Sequence, residues 1–325
     1  MKLSRSLARS ALALAAGLVV TAGEASAQAF PTKPIKIVVT LSPGSAADTL
    51  ARLVGDGLGR QLGQTVTIEN RAGGNGTIGA NAVAKAEPDG YTLLVNTNLH
   101  TLAPSLIAQM PYNVETDFAG VAVLGISPHV MIIAPSQGIK SIKELVEAAK
   151  KRDGGITYAS VAGSGTHLNG AHFIKTMNIP GRMVAFKGAP ESITEVMTGR
   201  VDIYFSPILP ALSHLQGGKL LGLGVSSKTR SAALPNVPTT FDGGYPDSEF
   251  GLPFYLYAPG KTPRPVVEKL NAEVNKMLGT PEMKKRLVDL GIDPAPMSPA
   301  ELDALTKRQI KIEAAQAEAA GLKKQ

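Results

Sequence analysis

The 325-residue chain contains no cysteine. That excludes disulfides, thiol catalysis and cysteine-ligated metals, so the folded chain must rest on its core alone. After the first 27 residues no apolar run reaches the roughly 20 residues that a membrane-spanning helix needs. No stripe of Lys and Arg is interleaved with aromatics, which removes the main sequence support for nucleic-acid binding. Internal repeats and low-complexity linkers are also missing. With 44% hydrophobic and 18% charged residues, the composition is that of a globular protein, and the length suits about two domains of roughly 150 residues each.

What is present begins at the N-terminus. Lys2, Arg5 and Arg9 precede a short apolar run at 12–20, and Ala25-Ser26-Ala27 forms a small-x-small cleavage site before Gln28. This is the pattern of a secretory signal peptide over residues 1–27. The site has no lipoprotein cysteine, and the apolar run is too short for an anchor, so the mature protein is expected to be periplasmic and not membrane-embedded. The formal charge is +7; the leader carries a net +2 through Lys2, Arg5, Arg9 and Glu24, leaving +5 on the remainder. A mildly basic body attracts anions at long range, although it also serves solubility.

From residue 35 to 226 the pattern alternates strand and helix. Strands are expected at 35–40, 65–69, 91–96, 156–160, 183–186, 201–205, 220–226 and 250–258, with two strand-like runs in 119–134 broken at Ser127-Pro128. Helices are expected after most of them, one opened by a Ser141/Glu144 capping box, with three more at 263–278, 281–290 and 299–319 announced by Thr262, Thr280 and Ser298. Alternation of this kind implies α/β architecture with parallel sheets, whose ligands bind beyond the carboxyl ends of the strands. Chain breaks near 125–128 and 228–238 would suit two domains.

Four strand-to-helix loops can therefore carry chemistry. The first, Ser42-Pro43-Gly44-Ser45-Ala46 with Asp48, offers glycine, hydroxyls and a helix N-terminus to an anion; a plain turn capped by Ser45 or Asp48 fits equally. The second, Ser164-Gly165-Thr166-His167, repeats that logic. His167 and His172 are five apart and fall on different helix faces, unsuited to one metal. Ser164 lacks the first glycine of a nucleophile elbow. The third, Asn96-Thr97-Asn98-Leu99-His100, carries short polar side chains suited to capping or ligand contact. The fourth, Lys187-Gly188, could pair with a carboxylate. Gly74–Gly79 matches G-x-G-x-x-G, but the next strand ends in Asn96-Thr97-Asn98 where a dinucleotide fold needs an acid. No cofactor and no metal are expected.

Several stretches together resemble one family: Pro43-Gly44 with Asp48 and Ala51-Arg52; Glu69-Asn70-Arg71 and the glycines up to Gly79; 86–94; Tyr158-Ala159-Ser160 with Gly165, His167 and Leu168; Phe186-Lys187-Gly188; Gly199-Arg200-Val201-Asp202; and 234–239. The chain resembles the substrate-binding proteins of tripartite tricarboxylate transporters, the Bug family of periplasmic receptors, from about Pro31 to its end. The resemblance implies a type II-like periplasmic-binding-protein fold of two lobes, each a sheet flanked by helices, with a ligand in the cleft between them. Lobe one would take 28–126 plus 233–325 and lobe two 127–232. It also implies a monomer that captures a small organic anion (a mono-, di- or tricarboxylate, aromatic ones included) and passes it to membrane permease subunits. By position it places Ser42, Pro43, Gly44, Ser45, Ala46, Asp48, Thr97, Asn98 and His100 in lobe one's half of the site. Lobe two would supply Ser164, Gly165, Thr166, His167, Lys187, Gly188 and Ser206. Many relatives carry Asp where Ser206 stands, which weighs against an amino-acid ligand.

Two other readings use the same residues: a sensor partnering a signalling receptor, and an exported hydrolase, for which none of the five histidines sits in a catalytic motif. The expected cleavage is checked directly: N-terminal sequencing of the protein recovered from the periplasm should begin at Gln28, and an uncleaved chain found in the membrane pellet would contradict the reading.

Overall fold

The computed structural model describes residues 30–324, so the leader expected at 1–27 lies outside the described residues. The chain begins with β1 (Ile35–Val39), α1 (Ala46–Leu62), β2 (Val66–Asn70), α2 (Thr77–Ala84), β3 (Thr92–Asn96) and α3 (Leu99–Leu106), then enters the 16-residue β4 (Phe118–Ile133). A second run follows: α4 (Ile142–Lys151), β5 (Ile156–Ser160), α5 (Gly165–Thr176), β6 (Gly181–Ala185), α6 (Ala189–Met197), β7 (Ile203–Pro207), α7 (Ile208–Gln216) and β8 (Leu221–Val225). β9 (Gly251–Pro259) returns, and α8 (Arg264–Leu278), α9 (Pro281–Asp289) and α10 (Pro299–Ala319) close the chain. No described helix is long and apolar enough to cross a membrane.

The first sheet has the order β2-β1-β3-β9-β4 and the second β8-β4-β7-β5-β6, so β4 belongs to both. β1 runs parallel to β2 and β3, and β5 runs parallel to β6 and β7. Both sheets are covered on both faces, which is why β1 and β3 read as near-continuous apolar runs. On one face of the first sheet Ile37, Val39 and Leu93 meet Leu50, Val54 and Leu58 of α1 and Leu270 and Val274 of α8. Each such fully buried side chain contributes about 1.5–3 kcal/mol. On the other face Val38, Leu94, Tyr255 and Tyr257 pack against Val83 of α2 and Leu302 of α10. The second sheet repeats the arrangement: Met131, Ile133 and Tyr158 face α4 and α5, while Val130, Ile132 and Tyr204 face α6 and α7. A fifth cluster joins α3 (Leu102, Leu106), α5 (Leu168), α10 (Ala317) and Phe250.

Strand registers fix how the two sheets meet. Tyr255 of β9 pairs with both Asn96 and Val123, so the carboxyl end of β3 is level with Val123. Pro207, at the carboxyl end of β7, is level with His129. The carboxyl edges of the two parallel sets therefore face each other, separated along β4 by six residues, at most about 20 Å of extended chain.

Four expectations need correcting. The break at Ser127-Pro128 does not exist: β4 runs through it, because Pro128 pairs with Gly251 at the very start of β9 and no central ladder bond is lost. The segment after residue 233 does not rejoin the first sheet at once. Leu234, Val237 and Tyr245 pack in the second sheet's cores, and the return crossing comes at Phe250–Gly251. α7 stands where no helix is expected; Pro207 is its N-cap and Pro210 lies in its first turn, where a missing N–H costs no helical bond. Thr262 does not cap α8, whose N-cap is Pro263. Thr280 and Ser298 do cap, the latter in a full capping box with Glu301. Ser141 caps α4, while Glu144 reaches the Lys140 amide instead of closing the box.

α10 carries Glu313, which is 7% exposed and has one carboxylate oxygen without a partner. Burial raises its pKa from 4.5 to about 8, against the opposing bond from Thr101 of α3. The proton is thus held more tightly in the folded chain. Its contribution is complete below pH 4.5 and is lost as pH rises toward 8, a change on the order of 3 kcal/mol by pH 7. Glu313→Gln should remove that part of the pH dependence and be more stable than the wild type above pH 8 in urea titrations. Parallel wild-type and variant curves from pH 5 to 9 would refute it.

Candidate functional site

The loop after β1 is built by its own side chains. Ser45 is the N-cap of α1 and accepts from the Asp48 amide at 3.2 Å. Asp48 is 3% exposed and turns inward. It accepts from the Gly44 amide at 2.9 Å, from Asn70 Nδ2 at 3.0 Å and from Arg52 Nε at 3.1 Å. Asn70 also donates to the Leu41 carbonyl. Burial works to raise the Asp48 pKa, but the bonds from Arg52, Gly44 and Asn70 outweigh it and hold the carboxyl below its ordinary value. Asp48 therefore shapes the loop and presents nothing to the cleft. Ser42, Pro43 and Gly44 are exposed, and Ser45 and Ala46 are half-buried. The amides of Ala46 and Ala47, in the first turn of α1, have no intrahelical acceptor.

Beside this loop, Thr40 donates to Asn96 Oδ1 at 2.7 Å, and the Thr97 amide donates to the same oxygen at 2.8 Å. Gly76 lies against Thr40 and Asn96, with a φ of +85° that favours glycine. Thr97 is 1% exposed, and its hydroxyl accepts from the Leu99 amide. The Asn98 side chain makes no hydrogen bond among the described residues. His100, expected at the site, is sealed away from it. It is 0% exposed, with Tyr257 and Phe118 rings at 4.5 and 4.6 Å, and burial lowers its pKa to about 3. The second helical position, which makes a residue look accessible at a loop, here turns it into the sheet.

In the second sheet Ser164 caps α5 through the His167 amide. Ser160 and Ser164 both contact Thr166 Oγ1 at 2.8 Å, so these hydroxyls are spent on the loop itself. The Gly163 amide donates to His167 Nδ1 at 3.3 Å, which puts the proton of the neutral ring on Nε2; burial lowers its pKa. The first-turn amides of Gly165 and Thr166 remain without intrahelical acceptors. The Lys187 loop differs. Its amide donates to the Glu191 carboxylate at 3.0 Å, so the helix that begins after Gly188 already holds an anion of its own. The Lys187 side chain is exposed and has no acidic partner among the described residues. Ser206 is 0% exposed and donates to the Pro207 carbonyl.

The structure thus gathers Ser42–Ala46, Thr97 and Asn98 at one carboxyl edge and Ser164–His167, Lys187, Gly188 and Ser206 at the other. Contact across the gap is made by Asn98: its Nδ2 lies 2.8 Å from the point where a Gly165 side chain would begin. The sequence reading missed Ser127 and His129 on β4, both 2% exposed, between the two edges. Ser127 accepts from the Ile208 amide at 3.3 Å. Their only signal was a Ser-Pro-His run that looked like a break. No group of three or more His, Asp or Glu among the described residues could hold a metal.

Two facing carboxyl edges with free helix amides can hold an anion but contain no base poised on a nucleophile. A family model described as the tripartite tricarboxylate transporter family receptor matches residues 50–322. The chain belongs to that family. A UPF0065 protein from the tcbD-tcbE intergenic region of Pseudomonas sp. (strain P51) is 34% identical over 298 residues, 90% of this chain and 88% of that protein. The receptor is also similar to Rpa4515 of R. palustris, solved with adipate: 29% identity, TM-score 0.79, 91% of this chain and 100% of that one. MatC from Rhodopseudomonas palustris, solved with malate, matches at 30% identity and TM-score 0.73, over 88% and 99% of the two chains. The α/β receptor fold expected from the sequence is thereby established, and the family is one of solute-binding proteins, not enzymes.

If Asp48 holds the first loop, Asp48→Asn should loosen it. Amide exchange at Gly44 should quicken, and stability at pH 7 should fall on the order of 1–3 kcal/mol. Because the native pKa is depressed, the wild-type advantage is present above the unfolded carboxyl pKa and fades as pH falls through the folded value. Unchanged exchange at Gly44 in the variant would contradict this role.

Proposed function

We propose that this receptor works in the periplasm, where it captures a small organic carboxylate between two lobes and delivers it to the membrane permease of a tripartite transporter. The observation that carries the reading is the pair of opposed edges, each offering first-turn amides without internal acceptors, at Ala46 and Ala47 on one side and Gly165 and Thr166 on the other. Such amides and the helix dipole favour a negative group. The adipate in Rpa4515 and the malate in MatC are both carboxylates, and the N-terminal leader pattern supports export. The lobes we assign are 30–126 with 251–324, and 127–250.

The magnitudes are adequate without a buried countercharge. A micromolar ligand needs about −8 kcal/mol, and bonds to a charged group contribute roughly 1.5–3 kcal/mol each. Both lobes can touch the ligand at once only when the cleft is narrowed, so occupancy shifts the population toward that state. The ligand-binding residues we assign are Ser42, Pro43, Gly44, Ser45, Ala46, Thr97, Asn98, Ser164, Gly165, Thr166 and His167, with the Lys187 ammonium as a steering charge. Native mass spectrometry of freshly purified protein should reveal a carried acid, and isothermal titration with adipate, malate, citrate and benzoate should give saturable heat for at least one. Silence from the whole acid series, with no carried ligand, would end the proposal; deletion of the gene should abolish uptake of the acid identified.

A further inference from the structure

His129 is the one imidazole placed between the two edges. It is 2% exposed and lies on the shared strand β4. Its ring edge follows the first turn of α5. Nδ1 meets Asn169 Nδ2 at 3.3 Å, and Cε1 lies 3.6 Å from the point where a Gly165 side chain would begin. Nε2 therefore projects toward the N-terminus of that helix. It has no protein partner among the described residues, yet it is not among the buried atoms sealed from solvent.

The proton position follows from the neighbours. Tyr245 Oη donates to Asn169 Oδ1 at 3.2 Å and meets His172 Nδ1 at 2.8 Å. With its oxygen so occupied, Asn169 uses its NH₂ group to donate to Ser226 Oγ at 3.2 Å and to His129 Nδ1. Nδ1 is thus an acceptor, and the neutral ring carries its proton on Nε2. Burial lowers the pKa of this imidazole to about 3, which keeps it neutral.

The same spot is approached from the other lobe. Asn98 is 7% exposed and its side chain has no partner; its Nδ2 stands 2.8 Å from the Gly165 side-chain point. Asn98 from lobe one and His129 from the strand joining the lobes thus meet at Gly165, the first residue of α5 in lobe two. Neither side-chain donor is sealed from solvent, so an arriving anion can reach both.

We propose that His129 is a ligand-contacting residue, its Nε2–H joining Asn98 Nδ2 and the Gly165 amide to hold one carboxylate of the ligand where β4 passes between the lobes. This rests on the receptor reading above. It ties occupancy to closure, because a carboxylate held there bonds to both lobes and to their connection at once.

Two measurements test it, using whichever of adipate, malate, citrate and benzoate binds tightest by titration calorimetry. His129→Phe keeps the ring and removes the donor, and should weaken that acid 10- to 100-fold. In ¹⁵N-histidine-labelled wild-type protein, His129 should be protonated on Nε2, and that N–H proton resonance should move on saturation. A ring protonated on Nδ1, or a resonance unmoved by an acid that binds, would overturn the proposal while leaving the receptor reading intact. An affinity of His129→Phe within threefold of wild type would do the same. If no acid binds the wild type, both fall together.

Discussion

The β4–β9 ladder is the constraint from which the rest follows. Those two strands pair antiparallel from Phe118↔Pro259 to Pro128↔Gly251, and β4 then continues into the second sheet. Because β3 lies beside β9 and β7 beside the far half of β4, that single register aims two sets of strand ends at each other. Gly125, with a φ of +151°, stands in this stretch where Ile292 and Asp293 leave no room for a side chain. The ladder thus sets the distance and direction between the loops, and the loops only decorate it.

The loops we assign to the ligand leave donors free by subtraction. Most of their side chains satisfy one another: Asp48 with Gly44, Asn70 and Arg52, Thr166 with Ser160 and Ser164, His167 with Gly163. What remains unpaired is a small set of donors, largely main-chain, fixed in place before any ligand arrives. Preorganised dipoles of this kind cost little to use and discriminate by charge more than by outline. The Lys187 loop shows the contrast, since Glu191 already fills the place an external carboxylate would take there.

Much of this was legible in the sequence. The 2- and 3.6-residue periods locate the strands and most helices, and glycine, serine and a following apolar face mark the Ser42–Ser45 and Ser164–Gly165 loops as helix starts. What periodicity cannot convey is pairing across the chain. The Ser127-Pro128 pair is a breaker in isolation and a harmless ladder end beside Gly251. Pro207 and Pro210 read as an interruption, yet open a helix. His100 and His129 look alike as lone histidines in polar surroundings; only the fold distinguishes one wedged among Tyr112, Phe118 and Tyr257 from one whose ring edge borders the cleft. Tyr245 belongs with the second sheet for the same reason, its partners Asn169 and His172 lying more than 70 residues away.

The late arrival of β9 has a consequence for how the molecule comes into being. β9 sits between β3 and β4 in the first sheet, although β3 ends at Asn96 and β9 begins at Gly251. A growing or translocating polypeptide therefore cannot complete this sheet until more than three-quarters of it has emerged. The second half, whose strands are nearly consecutive, can assemble earlier and wait. High sequence separation of this sort slows folding, so the first sheet is the last part of the molecule to close.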